Sequence, residues 1–176
     1  MLEVYFDKEI RETRSDPPHP QMNNIEYVKL EEVSPTEFIP LLNKEKLREH
    51  LIVHELFDVE LVKSWIASKI EVDASSGCKV RAVLVNANLA GWCGIQLEDG
   101  KHEIAIVIDE RYWGVGMEIF QEIMAWAKDF NHKTVFIHFL HTRPEYKFLR
   151  KIAKNVYQSE LLGSKFTTYE LEVENT

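Results

Sequence analysis

Residues 101–130 read KHEIAIVIDERYWGVGMEIFQEIMAWAKDF, and three kinds of pattern follow one another in them. Glu103 to Ile108 is an apolar run of strand length. Arg111-Tyr112-Trp113-Gly114-Val115-Gly116 has the composition of a turn. From Met117 on, Ile119, Phe120, Ile123, Met124, Ala127 and Phe130 recur at three- and four-residue steps, which predicts an amphipathic helix ending near Phe130. A strand that enters a helix through a glycine-bearing turn leaves the first-turn N–H groups without partners inside the helix. Together with the positive end of the helix dipole they suit a phosphate or diphosphate. Gly114 and Gly116 are expected to adopt positive φ and to let the backbone approach such an anion closely.

Two glycines alone fit ordinary helix entry equally well, so the spacing around them decides. A P-loop requires Gly-Lys-Ser/Thr after four intervening residues, and the dinucleotide fingerprint requires Gly-x-Gly-x-x-Gly. Position 119 is Ile, and both patterns fail. Arg111-x-x-Gly114-x-Gly116, set between an EIAIVI strand and an amphipathic helix, instead resembles the acetyl-CoA motif of the GNAT acyltransferases, (Gln/Arg)-x-x-Gly-x-(Gly/Ala). The longer string HEIAIVIDERYWGVG looks like the ribosomal-protein N-terminal acetyltransferase branch of that superfamily, where a Glu-bearing strand leads into a Tyr-Trp-Gly-x-Gly turn.

Working outward, 176 residues suit one domain with a sizeable core. The split expected is a polar, proline-bearing extension over 1–24 and the acyltransferase domain over 25–176. A formal charge of −8 argues against a general nucleic-acid or anionic-membrane surface. Cys78 and Cys93 each lie in an apolar, strand-like run and read as buried thiols of a reducing compartment. Neither a signal-peptide pattern nor an apolar run of membrane length is visible, so a soluble, cytoplasmic protein is expected.

Before the central stretch, residues 2–6 could form an edge strand and 11–24 a loop. Ile25 to Leu30 alternates as a first strand. Ser34 or Thr36 caps a helix over 35–50, with Pro40 awkward inside it, and Asp58 caps a second helix carrying Val59, Val62, Trp65, Ile66 and Ile70. Strands at 79–85 and 89–97 follow, and Asp99-Gly100 turns the chain into the Glu103 strand. After the central helix, Thr134 to Phe139 forms a parallel partner to that strand through a right-handed crossover. A helix over 145–154 and a hairpin of 156–162 with 166–173 close the chain. The order β-α-α-β-β-β-α-β-α-β-β is similar to that of GNAT proteins. The resemblance implies an α/β (α+β) class with a mixed, mostly antiparallel sheet, a splayed parallel central pair and flanking helices.

The same resemblance implies where chemistry would occur. The pantetheine arm of acetyl-CoA would lie between Ile106, Val107 and Ile108 on one strand and residues 139–142 on the other. Its diphosphate would sit on the N–H groups of Arg111, Trp113, Gly114, Val115, Gly116 and Met117. Transfer to a primary amine needs a group to take the ammonium proton. Glu103 is the first choice, since the branch often carries a Glu there, and His138 and His141 are the alternative bases. His102 points to the opposite face by strand alternation. Family alignment puts Ile152 where relatives carry the Tyr that protonates the leaving thiolate, and Glu145 where they carry Asn; neither Tyr146 nor Tyr157 is in register.

Lys147, Arg150, Lys151 and Lys154 would form one basic helix face, either a contact for the coenzyme's 3′-phosphate or a solvated surface. His50 and His54 have the spacing of a metal pair but lack a third ligand, so no metal site is expected. The acceptor would be a small-molecule or peptide amine, a protein N-terminus among them, contacted by residues 51–57 and 161–166. Three readings stay open at this point: a transferase acting by direct transfer, a coenzyme A-binding or interaction protein that transfers nothing, and a fold relative that has lost the ligand.

Overall fold

The computed structural model describes residues 23–49, 55–143, 145–161 and 163–173. The strand expected at 2–6, nearly all of the 11–24 loop, His50, His54 and the first part of the 51–57 loop lie outside the described residues.

Seven strands form a single sheet in the order β1-β2-β3-β4-β5-β7-β6. They are β1 (Ile25–Val28), β2 (Lys79–Val85), β3 (Asn88–Glu98), β4 (Lys101–Ile108), β5 (Thr134–Leu140), β6 (Ala153–Leu161) and β7 (Ser164–Glu172). The β4–β5 pair is parallel and the other neighbours are antiparallel. Among the described residues five α-helices flank the sheet: α1 (Pro35–Leu42), α2 (Glu45–Arg48), α3 (Val59–Asp73), α4 (Gly116–Asp129) and α5 (Lys147–Ile152). This is the mixed α+β architecture expected from the sequence.

Strand alternation divides β4 between two cores. Ile104, Ile106 and Ile108 face α4 and pack with Ile119, Phe120 and Ile123. Ala105 and Val107 face the other way, toward Phe38 of α1 and Val62 and Ile66 of α3. Buried strands with both faces covered read as continuous apolar runs, which is why EIAIVI stood out.

Three local readings change. The helix predicted over 35–50 breaks at Asn43, whose amide donates to Phe57 O at 2.9 Å while its Oδ1 accepts from Phe57 N at 2.8 Å. That side chain pins the start of the next segment at the cost of helix continuity, and Pro40 is accommodated inside α1. The last helix ends at Ile152, with β6 beginning at Ala153, so Lys154 leaves the supposed basic face and pairs with Glu172 at 3.2 Å. Arg150 is paired with Glu145. The glycine turn is no open loop either: Glu110 to Val115 form short helical turns kinked at Tyr112 (φ −121°, ψ 15°), and α4 begins directly after them at Gly116.

Candidate functional site

The site begins where β4 and β5 part. Among the described residues their parallel ladder consists of one pair, Glu103 opposite Phe136, although β4 continues to Ile108 and β5 to Leu140. Beyond that pair the two strands diverge, and their facing backbone edges go unpaired by each other. An extended, amide-bearing ligand could satisfy such edges as an added strand does.

Glu103 stands at the vertex of this opening, 3 % exposed, on the face toward α3. Two residues beyond Phe136, His138 projects from β5 onto the same face and is likewise buried. Its Nε2 lies 2.8 Å from Glu103 Oε1, a close contact without hydrogen-bond alignment. Its Nδ1 is 2.7 Å from Thr168 Oγ1, which in turn is 2.6 Å from Ser159 Oγ. Across β3, Gln96 is the register partner of Glu103, and its Oε1 accepts from Lys69 Nζ at 2.5 Å. Burial lowers the Lys69 ammonium to a pKa of about 8, against a smaller opposing effect of Glu98, and the ammonium lies 4.8 Å from the centre of a Trp92 ring. Gln96 Nε2, Glu103 Oε2 and His138 Nε2 are all buried without a hydrogen-bond partner among the described residues. The three atoms come from three neighbouring strands, and buried polar atoms of this kind are ordinarily satisfied by water or a ligand.

His141 is not part of this cluster. It follows the end of β5, is exposed, and its Nδ1 is 3.2 Å from Lys165 O. It lies five positions beyond Phe136, roughly 16 Å along an extended chain. His102, on the opposite face as expected, stacks on His132 at 3.9 Å between ring centres. Burial and His132 hold its pKa below the ordinary value.

At the glycine turn the geometry departs from the expected cradle. Gly116 is right-handed helical, with φ −57° and ψ −36°, and the positive-φ glycines among the described residues are Gly77, Gly100 and Gly163. Coiling as a 3-10 helix consumes donors that an open loop would present. Arg111 N donates to Asp109 Oδ1 at 3.0 Å, Tyr112 N to Asp109 O at 2.8 Å, and Gly116 N to Trp113 O. Trp113 Nε1 donates to Ile108 O at 3.1 Å, capping the end of the β4 edge. Val115 is buried, Met117 half-buried, and Glu118 brings an acid into the first turn of α4. Gly114 remains exposed, with nothing within 4 Å of where a Cβ would be. The unpaired edges of β4 and β5 are where an extended, amide-bearing coenzyme would lie. At the turn it would meet Gly114, the exposed Arg111 guanidinium and the first-turn donors of α4 at Met117, rather than the full row of amides.

Asp109 organises this end of β4. It is 1 % exposed and holds Arg111 Nη2 at 2.9 Å and Lys44 Nζ at 2.7 Å. Burial pushes its carboxyl pKa up, but the hydrogen bonds from Arg111 and Lys44 outweigh that and bring it down to about 2. Nothing in the sequence motif pointed to Asp109 or Lys44; their pairing needed the fold. Tyr146 is the other residue that sequence register missed. Its ring packs 4.8 Å from that of Phe139, in the diverging part of β5, and its hydroxyl accepts from Arg143 Nη1 at 3.1 Å. Tyr157 lies on β6, 3.4 Å from Lys101 Nζ. Ile152 is half-buried against the α4 core.

No protein-family model and no curated protein matches the sequence. Solved structures do match the fold. A GNAT-family acetyltransferase from Bordetella pertussis superposes with a TM-score of 0.66 at 12 % identity, covering 82 % of this chain and 93 % of that one. Spermidine N-acetyltransferase from Vibrio cholerae, in complex with CoA and spermine, gives 0.65 at 10 % identity, covering 87 % and 96 %. An acetyltransferase from Thermus thermophilus gives 0.59 at 17 % identity, covering 84 % and 96 %. The protein thus has the fold of GNAT acetyltransferases across most of its length, at identities that speak for fold alone.

Proposed function

We propose that the protein is an acetyl-CoA-dependent N-acyltransferase that moves an acetyl group directly to a primary amine. The observation that carries this reading is the acid–imidazole pair Glu103–His138, buried at the vertex where the parallel strands part. Acetyl-CoA supplies an activated thioester. Ile106, Val107 and Ile108 would hold its pantetheine arm, while Arg111, Trp113, Gly114, Val115, Gly116 and Met117 would surround its diphosphate. The Glu103–His138 pair takes the proton of the acceptor ammonium. Tyr146, whose hydroxyl is polarised by Arg143, is the donor we assign to the departing thiolate.

The acceptor is a small amine or a peptide N-terminus. The Tyr112-Trp113-Gly114 turn supports the ribosomal-protein N-terminal acetyltransferase branch, and the spermine held by the Vibrio structure supports a small amine. Buried free thiols at Cys78 and Cys93 suit the cytoplasm. Residues 1–24 would be an extension to a domain formed by 25–176.

The test is thiol release from acetyl-CoA with spermine, glycinamide and a free-amino tripeptide. Glu103→Gln is expected to keep coenzyme A affinity and to cut turnover by about tenfold or more. A second reading, coenzyme A binding without transfer, is favoured by Ile152 at the family's Tyr position. It wins if coenzyme A raises the melting temperature and no amine is acetylated.

A further inference from the structure

We infer that His102 and His132 form a clasp across the β4–β5 seam that holds at neutral pH and opens in acid. The inference is independent of the acyltransferase reading. His102 lies on β4, one position before Glu103 of the parallel Glu103–Phe136 pair. His132 lies in the connection from α4 to β5, four positions before Phe136. The two rings stack with centres 3.9 Å apart and planes tilted by 37°. A third segment joins them. His132 Nε2 is 2.8 Å from Gly77 O, in the turn between α3 and β2, and since a carbonyl only accepts, that nitrogen carries a proton and donates. Gly77 (φ +74°) fits against both rings: a Cβ there would lie 2.7 Å from His132 Cε1 and 2.9 Å from His102 Nε2. The starts of β2, β4 and β5 are thus held together at one point.

The clasp suits an uncharged His102. Its Nε2 is buried and has no hydrogen-bond partner among the described residues. A neutral imidazole can leave that nitrogen as a bare lone pair. An imidazolium cannot: both nitrogens then carry protons, and the N–H at Nε2 is buried beside Gly77 without an aligned acceptor. A charge on His132 would also oppose it from stacking distance. Burial accordingly holds the His102 pKa below its ordinary 6.5, the charge of His132 adds to the effect, and the Ser76 carbonyl opposes it only in part.

The elements packed around His102 supply no compensating charge. Its register partner on β3 is Leu97, and its β4 neighbours Lys101 and Glu103 point to the opposite face. In the α3–β2 turn, Asp73 is taken by Arg81 at 2.6 Å, and burial pushes the Cys78 thiol up, so it stays uncharged. Lys128, Asp129 and Lys133, on either side of His132, are exposed. Folding therefore favours neutral His102. Its contribution is complete above pH 6.5 and disappears as the pH falls through the lower folded value. What acid releases is a side-chain fastening beside the parallel pair, so the loosening should be local.

The experiment follows melting of the full chain between pH 8 and pH 5 at fixed ionic strength, wild type beside His102→Phe. Phenylalanine keeps a flat ring for the stack and takes no proton. All other titrations are common to both chains, so their difference reports His102. The wild type is expected to lose roughly 2–4 °C more than the variant over that range. Amide exchange, corrected for the intrinsic rate at each pH, should rise in acid at residues 77–79 and 132–136 of the wild type and stay level in the variant. Should His102→Phe not fold, 15N-histidine NMR of the wild type decides alone, with His102 identified by ring-to-ring NOEs across the stack and expected to titrate below 6.5. Equal pH slopes for the two chains, loosening spread evenly over the sheet, or a His102 midpoint at or above 6.5 would each overturn the clasp.

Discussion

The ammonium of Lys44 sits 2.8 and 2.7 Å from the two carboxylate oxygens of Asp109, joining the segment ahead of α2 to the end of β4. Lys46 repeats the link two residues on, 2.5 Å from Glu110. The two bridges fasten the chain around the start of α2 to the turn that follows β4. The inner one matters more, since Asp109 is buried and Glu110 is partly solvated.

Acid should loosen this joint. The Asp109 carboxyl is held at about 2, below the ordinary 3.8, so folding favours its ionised form. Its contribution is therefore complete above pH 3.8 and disappears as the pH falls through 2. Melting curves of wild type and Asp109→Asn are expected to differ by roughly 1–3 kcal/mol at pH 7 and to converge toward pH 2. Curves that stay parallel across that range would refute the pairing.

The two histidines at the end of β5 are expected to separate cleanly. His138→Gln should lower kcat/KM by about tenfold or more, because the buried pair with Glu103 is lost. His141→Gln, exposed beyond the strand, should remain within about twofold of wild type. Steady-state kinetics with the same amine decide it, and a larger loss at His141 would move the base to the mouth of the opening.

Tyr146→Phe removes a hydroxyl and leaves the ring against Phe139. If that hydroxyl protonates the thiolate, kcat should drop roughly ten- to hundredfold with little change in coenzyme A affinity. The loss should shrink with a thioester whose thiol is more acidic. Equal losses for both thioesters would assign Tyr146 to packing.

Gly91 of β3 packs tightly against β4: a Cβ there would lie 2.0 Å from Val107 O. Gly91→Ala should therefore cost roughly 1–3 kcal/mol or more in denaturant unfolding, through overpacking of a central strand. Gly114→Ala, with open space around the added carbon, should be nearly neutral for stability and should weaken coenzyme A binding instead. Calorimetry on both variants separates a packing glycine from an approach glycine.

Much of this fold was legible in the sequence because buried strands and the amphipathic α4 carry unambiguous periodicity. The order of elements from Ile25 to Glu172 followed from those patterns and from turn residues such as Asp99-Gly100. Glu103 could be picked out as an acid inside an apolar run. The companion it meets, His138, could be put only among several candidates, because a single-pair parallel ladder sets its register and ladders are not written in local sequence. Arg111 was expected to face an anion, yet it is tied to Asp109, since a carboxylate two residues away competes at short range. The helix at 35–50 was read as longer than it is because the Asn43–Phe57 clasp is a long-range contact. Conversely, the expected positive φ at Gly116 failed because Gly116 already takes up the right-handed helical backbone of α4, directly after the kinked turns of 110–115.

Among the described residues the sheet is joined across its middle by the single Glu103–Phe136 pair, with four strands to one side and three to the other. Heat or denaturant should pry at that seam first, with amide protons at the ends of β4 and β5 exchanging before those of β2 and β3. Any molecule that bridges the gap braces the seam, so occupancy should register as a rise in melting temperature that grows with concentration.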